Sequence, residues 1–302
     1  MAKRQRDGAV YEGTTEQRGE ETKRFISSLK FSVPLAKLRA VKDRAPCPQC
    51  GKRRLYYCYD CLRVCHPESH PVPVALPLAV HVILHPGEHR SKSTSLAAST
   101  ISPDMKILTY PEVPQGLDPQ STLVLYPSPQ SVCLDEIEDL HKFKNVVFVD
   151  STWQQSKAIS RDERVTSFKH VKIPQRTSLF WRFQNNDPSY LATVEAIYYF
   201  LREYIVQTAK QAGKSEPLYN GEVDDLLLYY INQYIMVQQN YATPTDERPQ
   251  HPGSVAVTPG EDRAFTTRHF QDYVLKGVVW DEIVDGPRSN ARGGSDSTSL
   301  HK

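Results

Sequence analysis

The stretch Asn145-Val146-Val147-Phe148-Val149-Asp150-Ser151-Thr152-Trp153 decides how this chain is read. Four consecutive apolar, largely β-branched residues, Val146 to Val149, predict a strand covered on both faces, as inside a parallel sheet. Asp150 closes that strand, and Ser151 or Thr152 can cap a helix running from Trp153 to Ile159. Ligands of open α/β sheets bind beyond the carboxyl ends of the strands, so an acid at this point is placed for chemistry. Asp is equally a favoured helix cap, and the local pattern leaves both roles open.

Outward from this strand, the pattern alternates. Ala79–Leu84, Met105–Leu108 and Ser121–Tyr126 predict strands before it, and Phe168–Ile173 predicts one after it. Ser91–Ser99 and Leu134–His141 predict the intervening helices. Such alternation implies βαβ units and a mostly parallel sheet, hence an α/β fold. Loops 85–90, 126–131 and 150–153 then share one sheet edge. Asp187-Pro188 predicts a helix opening, followed by an apolar stripe from Leu191 to Ile205; a second stripe spans Glu222–Gln239. Both stripes are expected to pack, with no chemistry of their own.

Ahead of the sheet lies a different kind of unit. Cys47-Pro48-Gln49-Cys50 and Cys58-Tyr59-Asp60-Cys61 are two Cys-x-x-Cys knuckles across a short hairpin-like segment. Four thiolates in that spacing suit a closed tetrahedral zinc site. Cys65, His66 and His70 follow closely and leave the fourth ligand open. Lys52, Arg53 and Arg54 at the tip are followed by Tyr56, Tyr57 and Tyr59, a mixture able to clamp RNA or simply to pack the knuckle onto the next domain.

The remaining composition is unremarkable for a globular protein. The 302 residues are 39% hydrophobic and 24% charged, with a net charge of +2 that neither demands nor excludes nucleic acid. No apolar run approaches membrane-spanning length, and the start is polar, so an intracellular protein without a membrane partner is expected. The expected organisation is a flexible segment at 1–44, a zinc-knuckle module at 45–72, a catalytic domain at 73–241, and a linker with a largely disordered tail at 242–302.

Asp150-Ser151-Thr152-Trp153 resembles the Asp-x-Thr-Trp signature of the DTW-domain family. The resemblance extends, in order, over about residues 45–240. It takes in the cysteine knuckles, His85-Pro86 with Glu88, Arg90 and Thr94, Tyr126-Pro127, Ser178 with Arg182, and Thr193 with Glu195 and Ala196. It implies a SPOUT-related sheet, a knotted path included, with C-terminal helices. It implies a tRNA-uridine aminocarboxypropyltransferase that moves the 3-amino-3-carboxypropyl group of S-adenosylmethionine to N3 of a D-loop uridine, in the nucleus. Asp150, Thr152 and Trp153 are then the catalytic residues; Asp150 is the general base or fixes the uracil edge, with holding the donor's ammonium as the alternative. Trp153 either stacks on a base or packs its helix. His85, Glu88, Tyr126, Pro127, Ser128, Ser178, Arg182 and Glu195 are expected at the donor. Arg182 or Arg176 would grip its carboxylate. Lys52, Arg53, Arg54, Arg90, Lys92 and Arg176 are expected on tRNA, mostly at phosphates. Two rivals are a methyltransferase of the same fold and a non-catalytic zinc-containing tRNA-binding protein.

Overall fold

Val146, Val147 and Phe148 are buried because their strand is flanked on both sides and covered on both faces. In the computed structural model, which describes residues 15–181, 190–242, 275 and 278–285, this strand is β9, Asn145–Asp150. Four two-residue strands precede the main sheet: β1 (Ala45–Pro46), β2 (Arg53–Arg54), β3 (Tyr57–Cys58) and β4 (Arg63–Val64). The sheet itself comprises β5 (Ala79–Leu84), β6 (Met105–Thr109), β7 (Thr122–Leu125), β8 (Val132–Cys133), β9 and β10 (Lys169–Lys172). Their order is β6-β5-β9-β7-β10-β8, and every pairing is parallel. Thus β9 and β10 each insert between strands laid down earlier in the chain. All carboxyl ends share one edge, where Leu84 stands opposite Asp150.

Side chains alternate along a strand, so adjacent residues feed opposite faces. Val80, Val82, Val146 and Phe148 join one core with α3 (Ser95–Ser99), α6 (Thr193–Gln211) and α7 (Leu228–Ala242). Ile83, Val124 and Val147 join the other with Ile159 of α4 (Trp153–Ser160) and Val165 of α5 (Glu163–Thr166). The layers are therefore helix, sheet, helix. Among the described residues no helix is long and apolar enough to cross a membrane.

The structure differs from the sequence reading in four places. Charge without clear periodicity predicted a flexible arm, yet α1 (Thr15–Ser28) and α2 (Leu35–Ala40) are helices that bury Ile26, Leu35 and Leu38. The turn between them is pinned by two buried acids: Lys30 N–H donates to Asp224 and Ser32 N–H to Asp225, at 2.7 and 2.9 Å. The helix expected over Leu134–His141 is a 3-10 turn, Leu134–Glu136, after the unexpected edge strand β8. Leu134, Ile137 and Leu140 are all buried, but their spacing of three suits successive turns as well as an α-helix. The helix expected from Asp187-Pro188 starts at Thr193; the dipeptide lies outside the described residues. The stripe expected from Glu222 opens as a 3-10 turn, Asp224–Leu227, and becomes α7 only at Leu228. The expected linker and tail lie almost wholly outside the described residues, apart from Leu275 and a segment that includes the helix Trp280–Asp285.

Candidate active site and cysteine centre

Asp150 does not cap α4. Thr152 holds the cap position, its own N–H donating to Gln155 Oε1, while the Asp150 carboxylate turns inward and is 5% exposed. Oδ2 accepts from the hydroxyls of Ser93 (2.6 Å) and Ser95 (2.5 Å), and Oδ1 from Thr193 (2.8 Å). Ser93 and Ser95 come from the β5 loop and the start of α3, Thr193 from the first turn of α6. Three elements thus converge on one carboxylate at the sheet edge, and all three donors are hydroxyls, which can also accept. The side chain of Trp153 lies outside the described residues.

A second buried acid lies one helical step away. Glu195, 2% exposed, accepts from the Ser178 hydroxyl (2.6 Å) and the amides of Leu179 (2.7 Å) and Ala192 (2.8 Å). It ties the segment after β10 to the start of α6. Burial pushes its carboxyl above the ordinary glutamate range against those three hydrogen bonds. The buried Tyr230 hydroxyl faces this group, and its pKa lies well above normal, chiefly through burial and then the Glu195 charge. Ser178 and Glu195, both expected at the donor, are thus bonded to each other and hold a loop. Arg182 lies outside the described residues.

Beside the Asp150 cage run two connected hollows. A small one of about 110 Å³ is lined by Tyr126, Pro127, Ser151, Ser156 and Thr193. Sharing Leu125, Pro127, Leu191 and Ala196 with it, a cleft of about 370 Å³ opens toward Lys172 and Arg176. Apolar walls with two cations at one side suit a ligand with a flat apolar part and a carboxylate. Arg176 also lies 5.7 Å over the Tyr199 ring. The Tyr126–Ser131 loop is stapled internally: the Ser131 hydroxyl donates to Tyr126 O (2.6 Å) and accepts from Ser128 N–H (2.9 Å). His85 is a satisfied loop histidine whose Nδ1 accepts from Gly87 N–H at 3.0 Å. Glu88 stands in the same turn, its N–H donating to His85 O.

The cysteine centre settles which thiols cluster. The Sγ atoms of Cys47, Cys50, Cys58 and Cys61 lie within 4.8 Å of one another, and a tetrahedral zinc with ~2.3 Å bonds requires sulfurs about 3.8 Å apart. Gln49 N–H points at Cys47 Sγ (3.4 Å), as a knuckle requires. The Cys61 thiol is pushed up to about 12, foremost by its hydrogen bond to Cys50. Cys65, His66 and His70 are engaged elsewhere: Cys65 near Arg63 O, His66 with Glu68 and Asp43 O, His70 with Tyr229 and Thr100 O. The donor set fits a metal ion.

The cations assigned to RNA are differently placed. Lys52 and Arg54 both pair with Asp60, and Arg54 also lies 4.2 Å over the Tyr59 ring. Arg90 donates to Tyr59 O at 2.9 Å, joining the β5 loop to the knuckle. Arg53 and Lys92 are exposed. Tyr56 and Tyr57 pack on Tyr229 with ring centroids 5.7 and 5.1 Å apart, so the knuckle tyrosines seat the module on α7. Sequence reasoning missed Ser93 and Ser95, and treated Thr193 only as a helix start. Their sole signal was a run of small polar residues after β5.

Residues 55–236 match the DTW domain. The chain is 33% identical over 254 residues to tRNA-uridine aminocarboxypropyltransferase 1 of Mus musculus, covering 68% of this chain and 81% of that protein. Identity to the Xenopus tropicalis protein of the same name is 32% over 259 residues, covering 70% and 86%. Among solved structures, the SAM-dependent rRNA:acp-transferase Tsr3 from Vulcanisaeta distributa aligns with a TM-score of 0.32 and 12% identity, over 52% of this chain and 99% of that one.

Proposed function

The chain belongs to the DTW-domain family, and from that premise we propose that it is a tRNA-uridine aminocarboxypropyltransferase. It moves the 3-amino-3-carboxypropyl group of S-adenosylmethionine to N3 of a D-loop uridine. The observation that carries this reading is the match over most of the length of relatives bearing that name. The geometry supports it with a carboxylate beside a cleft of suitable chemistry. The adenosine lies between Leu125, Pro127 and Leu191, and the donor carboxylate meets Lys172 or Arg176. A SPOUT-type path, knotted where β9 and β10 insert, and a nuclear location belong to the same reading.

In the reaction, uracil N3 bonds to the γ-carbon of the donor side chain, the carbon–sulfonium bond breaks, and a neutral thioether leaves. The N3 proton must depart as attack develops, which asks for a base. Asp150 is that base, acting through a hydroxyl, because its two oxygens are already covered by Ser93, Ser95 and Thr193. A proton reaching Ser93 passes to Oδ2 over 2.6 Å. Zinc in the four-cysteine centre would hold the knuckle's two hairpins together and takes no part in transfer. Exposed Arg53 and Lys92 then face tRNA phosphates.

The test is incubation of purified protein with unmodified tRNA and S-adenosylmethionine, followed by mass analysis of the nucleosides. The expected product is aminocarboxypropyl-uridine. A methylated nucleoside would assign the methyl rival, and an unchanged tRNA would overturn catalysis.

A further inference from the structure

Between β5 and α3 runs a loop, residues 85–94, in which Pro86, Gly87, His89, Ser91 and Lys92 are all exposed. Its far end builds the Asp150 cage. Ser93, and Ser95 just after it, donate to Asp150 Oδ2, while Thr94 Oγ1 accepts from Val194 N–H of α6 at 3.2 Å. Its middle reaches the cysteine module, where Arg90 Nε donates to Tyr59 O at 2.9 Å. Arg90 and Ser93 share a single turn, closed on His89 O by Lys92 N–H (2.7 Å) and Ser93 N–H (3.1 Å). Tyr59 in turn lies inside the second knuckle, between Cys58 and Cys61. Leu62 N–H closes that knuckle on Cys58 O at 2.7 Å, and the Arg54 guanidinium covers the Tyr59 ring. A carbonyl between two ligands is placed by the closure of their turn on an ion. The connection from the four sulfurs to Asp150 is therefore continuous: knuckle turn, Tyr59 carbonyl, Arg90, the 89–93 turn, Ser93 hydroxyl.

We propose that Arg90 is a positioning residue that couples the cysteine centre to the Asp150 cage, so that loading the knuckle with metal holds Ser93 against Oδ2. Its kinetic consequence rests on the transferase reading above; its structural consequence does not. The ion stays outside the chemistry and acts only through the shape of the knuckle. A proton relay through a hydroxyl depends on alignment, and a misplacement of about 1 Å can cost on the order of 10²-fold in rate. Charge alone would assign Arg90 to a tRNA phosphate, a contact that needs a cation. Positioning needs only an N–H donor at the place of Nε. The two roles therefore ask for different properties of one side chain.

Arg90→Gln and Arg90→Met separate them. Both remove the charge, but Gln carries an N–H as many bonds from its Cα as Arg Nε, and Met carries none. The full-length proteins are compared zinc-loaded and chelator-treated, by hydrogen exchange over residues 85–95 read by mass spectrometry. Single-turnover transfer at saturating tRNA, zinc content and the salt dependence of tRNA affinity are followed in parallel. Zinc should slow exchange over 85–95 by about tenfold in wild type and Arg90→Gln, the value of one hydrogen bond. It should leave Arg90→Met unchanged although that variant still binds zinc. Transfer should fall by about tenfold in Arg90→Met and stay within about threefold of wild type in Arg90→Gln, with tRNA affinity equal in both. Equal losses in the two variants, with a shallower salt dependence of tRNA binding, would give Arg90 to a phosphate and overturn the proposal. Zinc-dependent protection that survives in Arg90→Met also overturns it. Should Arg90→Met fold poorly, wild type still decides, because exchange over 85–95 that ignores zinc overturns the coupling. Protection lost only in Arg90→Met, with no aminocarboxypropyl-uridine formed by wild type, would sink the transferase reading and leave the coupling standing.

Discussion

Asp150 and Glu195 are both buried carboxylates, each holding three hydrogen bonds, and each reached from the first turn of α6. They differ in what donates. Asp150 is surrounded by hydroxyls alone. Two of the three donors to Glu195 are backbone amides, which cannot rotate, reverse or pass a proton on. The hydroxyl cage can therefore change its hydrogen-bond direction during a reaction, whereas the amide cage can only hold a loop in place. Burial alone does not distinguish a reacting acid from a structural one; the donor type does.

The sharpest break of this contrast is removal of charge at Asp150. Asp150→Asn presents an NH₂ to neighbouring hydroxyls that can turn and accept it, so folding should survive. Transfer should fall by about 10²- to 10⁴-fold, the range of a lost general base, with S-adenosylmethionine affinity nearly unchanged. Calorimetry and single-turnover kinetics separate the two. A rate near wild type would remove Asp150 from proton transfer.

A third centre, the cysteine cluster, gathers four sulfurs within 4.8 Å of one another, a donor set for a single cation. Cys58→Ser or treatment with a strong chelator should take the bound metal from one ion per chain to zero, read by elemental analysis. The melting temperature should fall together with tRNA affinity, because Tyr56 and Tyr57 would leave Tyr229. A protein that keeps its melting temperature after metal loss would show that packing on α7 suffices.

At Glu195 the expected loss is structural. Glu195→Gln puts an NH₂ where a fixed amide N–H already points, and stability should drop by about 1–3 kcal/mol, the cost of leaving a buried group unsatisfied. The pH dependence has a definite sign. The native carboxyl is raised above the ordinary glutamate value of 4.5, so just above pH 4.5 the folded chain keeps a proton that the unfolded chain has released. This contribution is fully present below that pH and is lost as pH rises through the raised value. Denaturant titrations should show that decline in wild type and a flatter profile in Glu195→Gln. Equal slopes would place the native carboxyl at its ordinary value.

Much of this arrangement was legible in the chain. The run Val146–Val149 identifies the inner strand because both faces of β9 are covered and nothing polar interrupts it. The cysteine spacing identifies the thiol cluster because a knuckle is local. Partners brought together by topology were not legible. Ser93, Ser95 and Thr193 are 57, 55 and 43 residues from Asp150, and only the strand order brings them to one edge. Ser178 and Glu195 were found as motif residues, yet a motif records that a pair matters and not that its members bond each other. α1 was missed because its polar face dominates its composition, while Phe25 and Ile26, which anchor it, are two apolar side chains near its end.

The smallest expected effect tests the contrast most finely, since Thr193 opens the helical turn that ends at Glu195. Its hydroxyl is the sole partner shown for Asp150 Oδ1 among the described residues, and its backbone belongs to the element that Glu195 anchors. Thr193→Val keeps the side-chain shape and removes the hydroxyl; Thr193→Ser keeps the hydroxyl and removes the methyl. If the cage works through its hydroxyls, Thr193→Val should slow transfer by about tenfold, the value of one hydrogen bond to a charged group, and Thr193→Ser should stay within about twofold. Neither should change stability as much as Glu195→Gln does. The opposite pattern, in which Thr193→Val unfolds the chain and Thr193→Ser slows transfer, would mean that the methyl's packing matters and the hydroxyl does not. Asp150 and Glu195 would then be two parts of a single scaffold.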